Sequence, residues 1–366
     1  MALNQLKIDG IRNLRDVSLE GLEAVNVFYG INGSGKTSVL EAIHLLGMAR
    51  SFRGNSVKSV ITHGEDSCVV YGSLAAPSTN KPALMLGIKR NRVGQAQIKV
   101  GGQPVRTVAE LAEQLPLQVI NADTFGLLTG SPSSRRQYLD WGVFHVEHAF
   151  FSEWQRFQRC IKQRNKLLRR GKLTNKELDI WTRDLAASGA AISDYRKNYF
   201  KELAPRFRAI MASLAPSLEE LELHYRQGWD RQLSYAEALA QGVSADLEQG
   251  YTHTGPQRAD LRVTTAGYGA AETLSRGQQK LVVCGLKLAQ GQMMTELGKG
   301  SCTYLIDDLP SELDEAHSRL ICQWLADMDA QVFITCVKLD EIRSVWPPNS
   351  PFGVFHVEQG SVVAAG

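Results

Sequence analysis

The segment "GINGSGKT", Gly30 to Thr37, constrains this chain more than any other. It fills every fixed position of the pattern G-x-x-x-x-G-K-[ST], at Gly30, Gly35, Lys36 and Thr37. Glycines there let the backbone curl with its N–H groups pointing inward at a phosphate, and the helix that follows turns its positive end toward the same anion. An apolar strand, "AVNVFYG", leads in, and an apolar helix, "TSVLEAIHLLG", leads out and ends at Gly47. The segment therefore commits the chain to an α/β nucleotide core. Gly30, Ile31, Asn32, Gly33, Ser34 and Gly35 form the cradle, Lys36 reaches the β- and γ-phosphates, and the Thr37 hydroxyl ligates Mg²⁺.

A phosphate loop needs an acidic partner, and "TYLIDDLPSELD" supplies one. Tyr304 to Ile306 read as a buried strand with Asp307 and Asp308 at its carboxyl end, where ligands sit in open α/β sheets. Adjacent carboxylates straight after an apolar run are costly unless a cation compensates them. Asp307 is expected to hold Mg²⁺ through water, and Asp308 to position or deprotonate the attacking water. A third segment, "LSRGQQK" at Leu274 to Lys280, opens an apolar helix and offers N–H groups and a serine hydroxyl to an anion. Its polar start also fits an ordinary helix beginning.

Between these motifs the chain changes character. After the first helix come the β-like runs "VKSVIT", "SCVVYGSL", "ALMLGIKR" and "QAQIKVGG", separated by turn-rich stretches such as "APSTNKP". They predict an antiparallel layer beside the nucleotide core. From Arg135 to about Leu221 helical periodicity dominates, as amphipathic helices packed antiparallel. From Tyr251 the chain is β-like and glycine-rich, then alternates helix and strand. The expected division is one head from 1–127 plus 250–366, since each outer segment alone lacks half of the site, with a helical second domain at 128–249. The six cysteines form no C-x-x-C pair and several lie in apolar runs, which predicts buried free thiols. No apolar run reaches the roughly 20 residues that span a bilayer, and the polar start carries no signal-peptide pattern, so a cytoplasmic protein is expected.

The three nucleotide motifs together are similar to the set of ABC-type ATPases, in which the serine loop of one head closes over the ATP of the other. On that likeness Ser275, Gly277 and Gln278 meet the γ-phosphate of a partner copy in an ATP-dependent homodimer, and "SELD", Ser311 to Asp314, crosses the dimer axis. Arg276 stands where glycine is usual in transporters and Asp308 where glutamate is usual, which implies slow turnover. "IDGIRNLRD", "GSPSSRRQYLDWG", "KQRNKLL" and "THTGPQRADL", in order with the motifs above, make the resemblance specific. The chain resembles, over essentially its whole length, the RecF family of bacterial recombination and repair ATPases, in its gammaproteobacterial form. The resemblance implies an ABC-type P-loop ATPase head, with a mixed sheet and an antiparallel β layer, carrying an inserted α-helical domain. It also implies weak ATP hydrolysis, binding to double-stranded DNA and to single/double-strand junctions, and work with RecR and RecO to load RecA on gaps coated with single-strand-binding protein. Roles in fork recovery and the SOS response follow from the same likeness, as does nucleotide contact by Arg12 and Asn13. The sequence departs from the family at "NADTF", where a proline–acid pair is common, and at Gln257, where histidine is common. No histidine follows "VFITCV", and Thr335 stands near that switch position.

For DNA, "EWQRFQRCIKQRNKLLRR" crowds Arg156, Arg159, Lys162, Arg164, Lys166, Arg169 and Arg170 ahead of Lys172, with Glu153 the nearby acid. Arg159, Lys162, Lys166, Arg169 and Arg170 fall on one side of a helix, which is either a solvated face or a phosphate-binding one. Arg53 and the pair Arg135–Arg136 are further candidates, or else structural. A transporter ATPase subunit, a nucleotide-independent scaffold for DNA or RecR, and a P-loop kinase of small molecules are the rivals. The basic insert and Asp308 oppose the first, the intact motifs the second, and "LSRGQQK" the third.

Overall fold

The computed structural model describes residues 2–54, 56–75, 82–170, 175–218, 220–348 and 350–365. Of the segments singled out above, Lys172 and all of "APSTNKP" except Pro82 lie outside them. The chain divides into two units, Met1–Phe125 with Lys280–Gly366, and Gly126–Gln279.

The first unit opens with β1 (Ala2–Asp9), β2 (Val17–Glu20), β3 (Val25–Tyr29), α1 (Lys36–Met48), β4 (Ser67–Ala75), β5 (Leu84–Asn91), β6 (Ala96–Val100), β7 (Gln103–Val105), α2 (Val108–Gln114) and β8 (Leu117–Ile120). The second unit holds α3 (Gly126–Thr129), α4 (Pro132–Val146), α5 (Phe150–Arg170), α6 (Asn175–Leu214), β9 (Leu221–Arg226), α7 (Tyr235–Gln241), α8 (Val243–Gln249), β10 (Asp260–Thr265), β11 (Tyr268–Gly269) and α9 (Ala270–Thr273). Helix α10 (Arg276–Glu296) starts in the second unit and continues in the first. The first unit closes with β12 (Thr303–Ile306), α11 (Leu309–Glu312), α12 (Glu315–Asp327), β13 (Gln331–Cys336), α13 (Asp340–Arg343), β14 (Phe352–Glu358) and β15 (Ser361–Ala364).

Two six-stranded sheets make the first unit. One runs β2-β1-β4-β5-β6-β7 and is antiparallel throughout. The other runs β15-β14-β3-β13-β12-β8 and is parallel except for the edge pair β14–β15. Sequence and burial separate the two. Strand β1 alternates buried and exposed side chains, as a half-solvated antiparallel strand does. Strands β8, β12 and β13 are buried at every position, as central strands covered on both faces are. Helix α1 touches β1, β4 and β5 of one sheet and β8, β12 and β13 of the other. Its place between the sheets explains why "TSVLEAIHLLG" is apolar all round. The fold is thus α/β, with a mixed sheet and an antiparallel layer, as the sequence implies.

In the second unit α5 and α6 run antiparallel, with Phe150 against Tyr195 and Arg164 bonded to Thr182. The expected boundaries need one large correction. The second unit extends to Gln279, not 249, because β10 pairs with β9 in antiparallel register from Asp260↔Arg226 to Thr265↔Leu221. Residues 250–279 therefore belong with the helices and not with the nucleotide core. All six cysteines are buried and free. Among the described residues no helix is long and apolar enough to cross a membrane.

Candidate functional site

The order of the parallel sheet brings the first two motifs together. Strand β3 ends in the phosphate loop, β12 ends in the acid pair, and β13 lies between them. The Thr37 hydroxyl donates to Asp307 Oδ1 at 2.9 Å, joining residues 270 apart in sequence. The Lys36 ammonium donates to the carbonyls of Gly30 (2.7 Å) and Ile31 (3.0 Å), so the loop is closed over its own lysine. Gly30 has φ 149°, and a Cβ there would run into the Val357 carbonyl. Gly35 has φ 119° at the N-cap of α1, and its Cβ would come within 3.0 Å of the Asn13 amide. These two glycines are needed for the loop's shape. A hydroxyl and a carboxylate facing each other beside an ammonium suit a hard cation and a phosphate, so the side chains fit Mg²⁺.

Thr335 on β13 ties the acid pair together. Its hydroxyl donates to Asp307 Oδ1 at 2.8 Å and accepts from the Asp308 N–H at 2.9 Å. Asp308 adopts a left-handed backbone, φ 56°, which is uncommon for a residue with a Cβ. The hydroxyl of Thr335 is thus placed to fix where both carboxylates stand. The sequence marks its neighbourhood only by the missing histidine.

Two residues support the loop from β1's far end. Asn13 donates to the Ser34 carbonyl at 3.0 Å and accepts from the Ser38 hydroxyl at 3.3 Å. Arg12 forms a two-pronged pair with Glu41 of α1, both contacts at 2.8 Å. Glu41 is fully buried, and the pairing holds the Arg12 guanidinium above its ordinary pKa. Asn13 therefore props the phosphate loop, and Arg12 balances a buried acid beneath it.

The serine segment caps α10. The Gln278 N–H donates to Ser275 Oγ at 3.4 Å, and the Ser275 N–H donates to Gln278 Oε1 at 2.9 Å, a reciprocal cap of the kind that starts helices. Ser275, Arg276 and Gly277 are exposed. One turn on, Lys280 forms an ion pair with Glu312 at 2.7 Å and also donates to its backbone carbonyl at 2.9 Å. Nothing in the local sequence signals this pairing of Lys280 with Glu312. Asp314 of "SELD" caps α12, accepting from the His317 N–H at 2.9 Å.

The basic helix sorts its cations. Arg159, Lys162, Lys166, Arg169 and Arg170 are exposed on α5, and Arg53 is exposed as well. Arg156 is committed to Asp184 at 3.0 Å. Arg164 is a correction to the crowd of candidates: it is completely buried, paired with Asp246 at 2.7 Å and donating to Thr252 and Thr182. Asn165 accepts from the Thr252 N–H and hydroxyl, so "KQRNKLL" holds "THTGPQRADL" through two adjacent residues. Arg135 and Arg136 are structural. Arg135 pairs with Asp260 at 2.8 Å, and Arg136 donates to the Ala259 carbonyl at 3.0 Å. Gln257, where histidine is common, donates to the carbonyls of Thr252 and Thr254.

Residues 2–363 match the family described as the RecF/RecN/SMC N terminal domain. The DNA replication and repair protein RecF of Pseudomonas aeruginosa is 49% identical over 362 residues, covering 99% of this chain and 97% of that protein. RecF of Pseudomonas fluorescens is 48% identical, covering 99% and 98%. Among solved structures, the recombination mediator protein RecF with ATPrS in the RecFOR pathway superposes with a TM-score of 0.86 at 26% identity, covering 100% of this chain and 98% of that one. An Smc head bound to the C-winged helix domain of ScpA shares the fold, with a TM-score of 0.61 at 13% identity, covering 100% of this chain and 98% of that one.

Proposed function

Since the chain belongs to the RecF family within the RecF/RecN/SMC group, we propose that it is an ATP-dependent DNA-binding protein of replication and repair. In this reading it is a slow ATPase that dimerises on ATP, binds duplex and single/double-strand junctions, and acts with RecR and RecO to help load RecA on gaps. The observation that carries the reading is the contact of Thr37 with Asp307, which joins phosphate loop and acid pair into one site.

Lys36 leaves the loop carbonyls for the β- and γ-phosphates. Thr37 and Asp307 would hold Mg²⁺, which when bound would supply charge neutralisation on the phosphate oxygens. Asp308 takes a proton from water as the water oxygen bonds to the γ-phosphorus. The bond from that phosphorus to the bridging oxygen breaks, and ADP leaves with inorganic phosphate as the second product. Ser275 and the N–H groups of Gly277 and Gln278 serve the nucleotide of the partner copy, and the exposure of Ser275 and Gly277 supports that role. ATP favours the closed dimer only by binding it better than the monomer. That closed dimer then presents the α5 faces of two copies. The five exposed cations on α5 of each copy, fully engaged with duplex phosphates, contribute about −4.5 to the log–log salt slope.

Fluorescence anisotropy of a labelled gapped duplex, with ATP, ADP or no nucleotide, tests the reading. Binding should require ATP, and Ser275→Arg should bind ATP as a monomer yet fail to dimerise or hold the duplex. ATP-driven dimers of Ser275→Arg would refute the sandwich.

A further inference from the structure

The second unit carries a cleft that none of the motifs above explains. Its volume is about 590 Å³, and Arg226, Arg231, Arg258, Arg262, His253 and Trp229 line it. The strand register accounts for much of this. On β9 and β10, residues of even number share one face, so Arg226 lies opposite Asp260 and Arg262 opposite His224. The odd-numbered residues Leu221, Tyr225, Leu261 and Val263 point into the core. The polar face is thus left outward, with Arg226, Arg231, Arg258 and Arg262 all exposed.

Four guanidinium groups meet two carboxylates in the cleft, Asp230 and Asp260. Asp260 pairs with Arg262 at 3.0 Å but is shared with Arg135 at 2.8 Å, so it neutralises less of the cleft than its charge suggests. Arg226 has no ion pair among the described residues, and Arg258 lies over the Tyr251 ring at 5.6 Å. Aromatic faces accompany the cations: Tyr251 and His253 lie tilted against each other at 4.2 Å between centroids, and Trp229 lies against Tyr235 at 4.7 Å while still lining the cleft. Arg226, Arg231 and Arg258, which make no ion pair among the described residues, stand among aromatic rings, and that is the chemistry that holds a single strand, phosphates on the cations and bases on the rings. The volume lies within the roughly 300–1,000 Å³ of small-ligand sites, room for a nucleotide-sized unit but not for a duplex.

We propose that this cleft between β9–β10 and the 251–258 loop is a binding site for single-stranded nucleic acid, separate from the exposed cations of α5. The inference rests on the DNA-binding reading and deepens it: α5 takes the duplex arm of a junction, and the cleft takes the single-stranded arm.

The test compares the full chain with Arg226→Gln/Arg258→Gln and with Arg159→Gln/Lys166→Gln. Each is titrated with a blunt duplex and with the same duplex bearing a single-stranded tail, at several salt concentrations. Unchanged ATP binding and thermal melting establish that the variants are folded. The cleft variant should match wild type on the blunt duplex and bind the tailed one more weakly. Its log–log salt slope on the tailed duplex should be shallower by about 1.4, for two lost single-strand phosphate contacts. The α5 variant should lose affinity for both DNAs. A cleft variant that binds the tailed duplex like wild type overturns the cleft assignment alone, whereas a wild-type chain that binds neither DNA overturns the DNA-binding reading with it. Unchanged tail binding together with lost binding of poly-glutamate would assign the cleft to an acidic polypeptide instead, and would equally overturn the proposal.

Discussion

Replacing Thr335 with valine keeps the branched shape that suits a central strand and removes only a hydroxyl. That hydroxyl is completely buried and makes two bonds, donating to Asp307 at 2.8 Å and accepting from the Asp308 N–H at 2.9 Å. A hydrogen bond to a charged group contributes about 1.5–3 kcal/mol, so unfolding free energy should fall by about 2–3 kcal/mol, read from urea midpoints. The second bond matters for chemistry. Asp308 is held with φ 56°, a conformation that costs about 1–2 kcal/mol for a residue with a Cβ. Once its N–H is released the backbone can relax by that amount and carry the carboxylate off line. Converted to rate, this is a loss of roughly five- to thirtyfold in single-turnover ATP hydrolysis. Binding of a fluorescent ATP analogue should stay within about twofold, because the contacts of Lys36 and the phosphate loop are untouched. Thr335→Ser restores both bonds and should recover most of the rate. Hydrolysis by Thr335→Val at the wild-type rate, or a serine variant as slow as the valine one, would refute the claim that this hydroxyl positions the acids.

Lys36→Ala should abolish ATP binding and every ATP-dependent step, measured by analogue fluorescence and by sizing with ATP. Asp246→Ala leaves the buried Arg164 charge without its partner and should cost about 3–5 kcal/mol by urea titration, with Arg164→Met/Asp246→Leu recovering most of it. His44 is buried and its pKa is pushed down to about 4, so the folded chain takes up its proton later than the unfolded one as the solution is acidified. Its contribution is complete above about pH 6.5 and declines toward pH 4, a loss of about 2 kcal/mol between pH 7 and pH 5. His44→Leu should show a correspondingly smaller loss over that interval in urea midpoints.

Local chemistry made a large part of this protein legible in its sequence. "GINGSGKT" requires a left-handed backbone at Gly30 and Gly35 and a helix starting at Lys36, and those demands are met within eight residues. The acid pair is equally visible, because an apolar strand that ends in two carboxylates has few other uses. Cation spacing on α5 gave the exposed face but not the exception. Arg164 looks like its neighbours in sequence, and only the return of Asp246 and Thr252 against α5 turns it into a buried strut. The end of the second unit is hidden from the sequence for the same reason, since "RADLRVTT" looks like a strand of any sheet until its register with β9 is known. Strand order decided the rest. Nothing local says that β13 lies between β3 and β12, yet that order puts Thr335 against both acids and Thr37 within reach of Asp307. The sequence by itself determined which groups could meet a nucleotide. Sheet order and register, which depend on burial summed over the whole chain, decided which side chains hold those groups in place.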